Sequence, residues 1–401
     1  MSKLLLDVGS TYIKLSSDKI IEQKFRDFGK SIYDDVMSKF GETIKNYKKE
    51  EIHICSSANG GLSTLIIGLT NSFSLKYAKN IAFNSGINII DTILYHNIEQ
   101  SVVPGDLLDV VIIVGGIDSI GGIYDERLFN YLEKLNYSNV VYVGSKKDAD
   151  YLKQNIDSLV VLDNIITDKL KVREEDLKEY LTNLYQQDIV GKEDIKELYQ
   201  LTSNQIYSTP FVVNQSLPSV DARFEVINPF IVVDIGGATT DIHYSKDLAR
   251  DNMVTNDEYD RLVFKKLGVY KSKESLVFAA KNNEFVYELL NYLNVTENIL
   301  EQDGDKALRV LMQLSIFLVL CKVSTHTPLY ITLDLHKLKS IVLTGGITKV
   351  LDYKEVEIIV EFFYKKILNT TAIPTILLDS NYDIWTLGMN ALDEKRKQNV
   401  D

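Results

Sequence analysis

The stretch IVVDIGGATTD, residues 231–241, decides how this chain is read. Ile231, Val232 and Val233 form an apolar run of the kind a buried strand shows, and the run breaks at the pair Gly236 and Gly237. Lacking a Cβ, those glycines let the backbone close on a ligand, and Thr239 and Thr240 add hydroxyl donors. Asp234 is too negative to touch a phosphate directly, but it can hold a hydrated Mg2+ that bridges to one. Asp241 can face the same metal or an attacking water. The order acid, glycine pair, threonines, acid predicts a phosphate cradle of Gly236, Gly237, Ala238, Thr239 and Thr240, with Asp234 and Asp241 as catalytic acids.

Working outward, a similar pattern opens the chain. Lys3 to Val8 is an apolar run that breaks at Gly9, within DVGSTYIK from Asp7 to Lys14. Gly9, Ser10 and Thr11 supply a second cradle, Lys14 a positive charge for a polyanion, and Asp7 a second catalytic and metal-binding acid. A third segment, IVLTGGITKV at 341–350, places Gly345 and Gly346 after a strand, where a flat base or ribose can lie against bare backbone. A glycine pair also ends the run IIVGGI near residue 115. Asp7 precedes Gly115 by nearly the distance that separates Asp234 from Gly345. This predicts a duplicated α/β unit, each copy opening on strand–Asp–x–Gly and closing on strand–Gly–Gly. The boundary expected from it divides residues 1–229 from 230–401.

The order of first phosphate loop, second phosphate loop and adenosine loop resembles the actin, heat-shock-chaperone and sugar-kinase ATPase superfamily. That resemblance implies two lobes of ribonuclease H-like α/β fold with Mg-ATP in the cleft between them. A narrower resemblance is to the MutL-type family, the component L encoded beside glutamate mutase. It is carried by IVVDIGGATTDIH, DVGSTYIKL, CSSANGGL at 55, SLKYAKNIAFNSG at 74, VGGIDSIGG at 114, VYVGS at 141 and DSNYDIWTLGMN at 379. It implies an ATP-driven reactivating chaperone whose partner is an adenosylcobalamin-dependent mutase or aminomutase. The chain departs from the family around residue 264, where an acidic Glu-Gly-Asp gives way to Phe264, Lys265 and Lys266 before Leu267 and Gly268. An acid that would help position water is then missing, and the segment 322–337 also diverges. Both changes bear on hydrolysis more than on nucleotide binding. A small-molecule kinase and an actin-like filament or scaffold protein remain open on the same fold.

Bulk properties bound these readings. The 401 residues suffice for two or three domains, with 45% hydrophobic and 25% charged residues. A net charge of -12 disfavours a nucleic-acid partner. Cys55 and Cys321 form no disulfide framework and fit a reducing cytoplasm. The apolar run at the N-terminus is too short for a signal-peptide core, and VLMQLSIFLVL at 310–320 reads as a buried helix rather than a membrane span. Short apolar runs alternate with helical patterns, the mark of an α/β chain. The charged segment 171–202 predicts one or two surface helices, and the proline-bearing 203–229 a connector. His53, His96, His243, His326 and His336 share no ligand spacing. His243, on the strand after the second cradle, is expected to be structural, and the Cys55-Ser56-Ser57 strand end has no evident partner for a nucleophile. A homo-oligomer is compatible with everything above.

Overall fold

The chain begins with β1 (Leu4–Val8), β2 (Tyr12–Ser17), β3 (Ile21–Phe25), α1 (Ile32–Ile44) and β4 (Ile52–Ser56). Next come β5 (Ser63–Gly68), α2 (Lys76–Asn84), β6 (Asn88–Leu94), β7 (Leu108–Val114), α3 (Glu126–Leu132), β8 (Tyr137–Tyr142), α4 (Lys146–Asn155) and β9 (Val160–Val161). Then follow α5 (Glu175–Gly191), α6 (Glu193–Lys196), β10 (Tyr207–Ser208) and α7 (Thr209–Phe224). The last part holds β11 (Phe230–Ile235), β12 (Thr240–Ser245), β13 (Tyr259–Phe264), α8 (Lys273–Lys281), α9 (Val286–Tyr292), α10 (Asp305–Ser324), β14 (Ser340–Gly345), α11 (Tyr353–Lys366), β15 (Thr375–Leu378) and α12 (Asp383–Gln398). This computed structural model describes residues 3–18, 21–57, 62–85, 87–191, 193–250, 258–325 and 332–398.

Two of the three sheets share one topology. The first has the order β10-β4-β1-β2-β3 and another has β13-β12-β11-β14-β15. In each, the opening strand runs antiparallel to the next, which is antiparallel to the third, while the two strands on its other side are parallel to it. This is the duplicated ribonuclease H-like arrangement of an actin-like α/β fold. Strands β1 and β11 lie mid-sheet and are covered on both faces, which is why both read as continuous apolar runs.

The third sheet corrects the predicted repeat. Strands β5 to β9 form a wholly parallel sheet of order β6-β5-β7-β8-β9, inserted between β4 and β10. Strand β7, which leads to Gly115, lies here and not beside Asp7. The strand parallel to β1 is β4, where Cys55 pairs with Asp7 as Thr344 of β14 pairs with Asp234. Any buried parallel strand closing on glycines gives the pattern seen at 115, so spacing alone could not separate the two. The glycines of CSSANGGL, after β4, lie outside the described residues.

The predicted connector is corrected as well. Residues 203–229 supply β10 and the helix α7, with Pro210 in its first turn and Pro218 inside it. Helices α7 and α12 pack on each other and fill the space between the two related sheets, with Val212, Leu217, Trp385 and Met389 buried among Leu5, Cys55, Phe230, Val232 and Val342. A Cβ on Gly388 would overlap the carbonyl of Val212, so the helices meet backbone to backbone. Helix α10 is long and apolar enough to cross a membrane by composition alone, but 83% of its apolar window is buried inside the protein.

Candidate functional site

The two related sheets turn equivalent strand ends toward each other. In the first, the chain leaves β1 through a tight turn in which Gly9 N donates to Tyr12 O at 2.8 Å. In the other, Gly236 N donates to Thr239 O at 2.9 Å in the matching turn between β11 and β12. The turns meet across the cleft. A Cβ on Gly237 would overlap Thr11 Oγ1, a buried hydroxyl with no hydrogen-bond partner among the described residues. An unfilled donor facing bare backbone is the local chemistry of an anion site. The segment after β13 braces the second turn: Tyr270 N and Lys271 N donate to Gly237 O, and Ser272 Oγ donates to Ala238 O.

The charges are ordered around Lys14. Its ammonium donates to Asp7 Oδ2 at 2.9 Å. Asp7 Oδ1 accepts from Thr209 Oγ1 at 2.6 Å, and from Cys55 Sγ at 3.5 Å. Burial alone would lower the Lys14 pKa, but the charges of Asp7 and Asp234 outweigh it and hold the ammonium above the ordinary lysine range. Burial pushes Asp234 up to about 6; Lys14 pulls it back, while Asp7 and Asp379 push it further. Gly345 has φ +86, and a Cβ there would overlap Asp234 Oδ1. Two carboxylates from opposite lobes, one of them reluctant to ionise, suit a hard cation that takes oxygen ligands and shares them with phosphates. Asp7 and Asp234 are the carboxylates of this cleft that could hold such a cation.

A cavity of about 190 Å³ lies between the lobes. It is lined by Asp7, Gly9, Ser10, Thr11 and Lys14 from the first lobe, and by Asp234, Gly236, Gly237, Ala238, Thr239, Asp241, Gly345 and Gly346 from the second. The model of the MutL protein family matches residues 3–309, which include the first two of these segments. The chain belongs to the MutL family. A curated relative, Protein MutL of Clostridium tetanomorphum, is 26% identical over 268 residues, a match covering 61% of this chain and 58% of the relative. Solved structures that the chain matches include the activator of the 2-hydroxyisocaproyl-CoA dehydratase from Clostridium difficile with bound ADPNP. It shares 13% identity at a TM-score of 0.32, over 100% of this chain and 98% of that one. Component A of the (R)-2-hydroxyglutaryl-CoA dehydratase of Acidaminococcus fermentans shares 9% identity at a TM-score of 0.33, over 98% and 97%.

One predicted cradle residue of this MutL-family chain needs correction. Thr240 does not line the cavity; its hydroxyl donates to Leu267 O at 2.9 Å and lies 2.8 Å from Ser315 Oγ, inside the second lobe. Successive strand residues face opposite ways, so Thr239 and Asp241 share the cavity side and Thr240 cannot. His243 is buried, with Nδ1 3.2 Å from Asn214 Oδ1 of α7, and burial followed by the charge of Arg261 holds its pKa well below the ordinary value. It is a neutral packing residue. His326 lies outside the described residues. The Cys55 thiol is pushed well above its usual range by burial and by Asp7, which suits a neutral donor.

Sequence reasoning missed several residues of the wall. Ser57 follows β4, Thr209 begins α7, and Tyr185 comes from α5, whose Leu177, Leu181 and Tyr185 are buried rather than on the surface. Val263 and Val269, flanking the divergent Phe264–Gly268 segment, also reach the cavity. The position of Thr209 was signalled only by the Ser-Thr-Pro start of a helix, which 203–229 contains. An aromatic cluster crosses the cleft mouth. Phe25 meets Tyr12 at 5.5 Å and Tyr270 at 5.5 Å, and Phe28 stacks on Tyr270 at 5.7 Å.

Proposed function

We propose that this cavity binds Mg-ATP and that hydrolysis drives a cycle of lobe closure and opening in a reactivating chaperone. The carrying observation is the pair of matching turns, Gly9–Tyr12 and Gly236–Thr239, facing each other with Asp7, Lys14 and Asp234 between them. In this reading the backbone amides and hydroxyls of both turns take phosphate oxygens and Lys14 neutralises part of their charge. Gly345 and Gly346 leave room for the ribose and base. Mg2+, when bound, supplies charge neutralisation and orientation of the phosphates. The cavity is smaller than the ~300–1,000 Å³ typical of ligand pockets, and Gly237 already abuts Thr11. A nucleotide therefore enters only when the lobes part, which is what a closure cycle requires.

Membership of the MutL family supports an adenosylcobalamin-dependent mutase or aminomutase as the partner, gripped in one nucleotide state and released in the other, in the cytoplasm. Calorimetry with Mg-ATP and Mg-ADP tests the first step. No heat and no thermal stabilisation at millimolar nucleotide would overturn it, because a ligand held only by the folded state must raise apparent stability. The partner is tested by inactivating a candidate mutase through turnover and adding this protein, Mg-ATP and fresh adenosylcobalamin. Recovery should require ATP; equal recovery without this protein refutes the chaperone role, and phosphate transfer to a small molecule would favour the kinase.

A further inference from the structure

Across the second lobe the strand order places four side chains in register. Val263, Asp241, Asp234 and Thr344 face one another across β13, β12, β11 and β14. Gly345 and Gly346 follow Thr344, and Asp241 lies two strands away, about 10 Å at normal strand spacing. A nucleotide with its ribose at the glycine pair extends its phosphates past Asp234 toward Asp241. This wall already carries a fixed negative charge where the last phosphate would arrive.

Arg261 answers that charge. It sits two residues before Val263 on β13, so both face the same side, diagonal to Asp241, within reach of a long side chain. Arg261 is 3% exposed. Burial works against its charge, and Asp241, Tyr185 and Asp260 support it. Asp241 is held from the other side by Thr239 Oγ1, which donates to its Oδ2 at 2.9 Å. Tyr185 crosses from the first lobe on α5 to line the same end of the cavity, with its ring buried. The second face of this assembly is the inserted sheet. Its helix α2 packs on both β13 and α5, and Tyr77, Ala78 and Ile81 share one core with Leu181, Tyr185 and Leu262.

We propose that Tyr185 and Asp241, with Arg261 behind Asp241, form the part of the cavity that distinguishes a nucleoside triphosphate from a diphosphate, and that α2 carries the difference to the inserted sheet. The proposal rests on the nucleotide reading above. Arg261 is a positioning residue: it fixes Asp241 and offsets its charge, so that the wall accepts one more anionic group. Tyr185 supplies a hydroxyl that donates to that group from the opposite lobe, and its ring sets the lobe separation at which it can do so. This pair of opposite charges on neighbouring strands acts through binding to the last phosphate, and a diphosphate, ending at Asp234, does not engage it.

The test compares ADP with the non-hydrolysable analogue ADPNP, each with Mg2+, by calorimetry on the full chain. Hydrogen exchange is followed over residues 76–84. Wild type should bind ADPNP more tightly than ADP and protect α2 more in the ADPNP state. Tyr185→Phe and Arg261→Gln should keep ADP affinity and lose about tenfold for ADPNP, the scale of one charge-assisted hydrogen bond. The α2 difference should vanish with it, and Arg261→Lys should recover part of both. Should Arg261→Gln not fold, Tyr185→Phe and Arg261→Lys still decide. A wild-type ratio of affinities in those two variants, or an equal loss for both nucleotides, overturns the proposal. Wild type that binds neither nucleotide overturns the nucleotide reading itself.

Discussion

Replacing Asp234 by Asn should make the metal-free protein more stable while removing its response to Mg2+. Asp234 is half-buried, and its pKa is raised to about 6 from an ordinary 3.8. Burial is the first cause, and Asp7 and Asp379 add to it against the pull of Lys14. A carboxyl with a raised folded pKa carries no penalty below about pH 4, where it is protonated in both states. Between pH 4 and 6 the unfolded chain ionises and the folded protein does not, so stability falls as pH rises through the folded pKa. Above pH 6 the loss is complete, at roughly 3 kcal/mol for a shift of this size. Asn cannot ionise and keeps the shape, so Asp234→Asn should match wild type near pH 4 and exceed it by about 3 kcal/mol at pH 7.5. Urea unfolding in EDTA at the two pH values measures this. Millimolar Mg2+ with ADP should then stabilise wild type and leave the variant unmoved. An equal gain at both pH values would show that the side chain matters through packing and not through charge. No gain at pH 7.5 would refute the burial of an ionised Asp234 beside Asp7 and Asp379.

Gly237→Val should weaken nucleotide binding by more than about tenfold, because its side chain would occupy the contact with Thr11 Oγ1 where the turns meet; wild-type ADP affinity by calorimetry would place the anion site elsewhere. Gly388→Val should lower the thermal midpoint, at a cost of about 3 kcal/mol, because its Cβ overlaps the Val212 carbonyl between α7 and α12. An unchanged midpoint would mean the helices can separate without loss.

Much of this was legible in the sequence because it is local. The run from Ile231 to Val233, the turn at Gly236 and the return through Thr239 are set by neighbouring residues, and β11, its turn and β12 follow them. The meander after Gly9 and the buried helix over 310–320 are legible for the same reason. What failed was non-local or hidden by composition. The glycine pair after β7 looks like the pair after β14, and only strand order shows that it belongs to an inserted sheet. Helix α5 is rich in charge, and the burial of Leu177, Leu181 and Tyr185 is too slight a pattern in its sequence to announce that Tyr185 reaches the cavity. Pro218 hid α7 by suggesting a break, though the helix continues through it. Thr240 is legible by a local rule, since alternation along β12 assigns it to the face away from the cavity.

The duplicated sheets also set the balance of charge in the cleft. Asp7 and Asp234 occupy the same place in the two topologies, each one turn before a strand that runs back beside it. In the first sheet the residue directly opposite the acid is Lys14; in the second it is Asp241. One position thus carries opposite charges in the two lobes. Lys14 is taken up by Asp7 at 2.9 Å, and Arg261 is supported first by Asp241. Lys14 is the shared counter-charge of Asp7 and Asp234, so the pair leaves one surplus negative charge facing the cavity. The elevated pKa of Asp234 is the free-energy cost of holding this acid buried, first, and beside Asp7 and Asp379, second. A polyphosphate brought to this wall alone would raise the cost further. Mg2+ reverses the sign, because two positive charges at Asp7 and Asp234 offset both the surplus acid and part of the phosphate chain. The charges of this cleft therefore predict that nucleotide and Mg2+ bind together, each weakly without the other. Titrating ADP with and without Mg2+ measures that coupling, and equal affinities in the two conditions would contradict it.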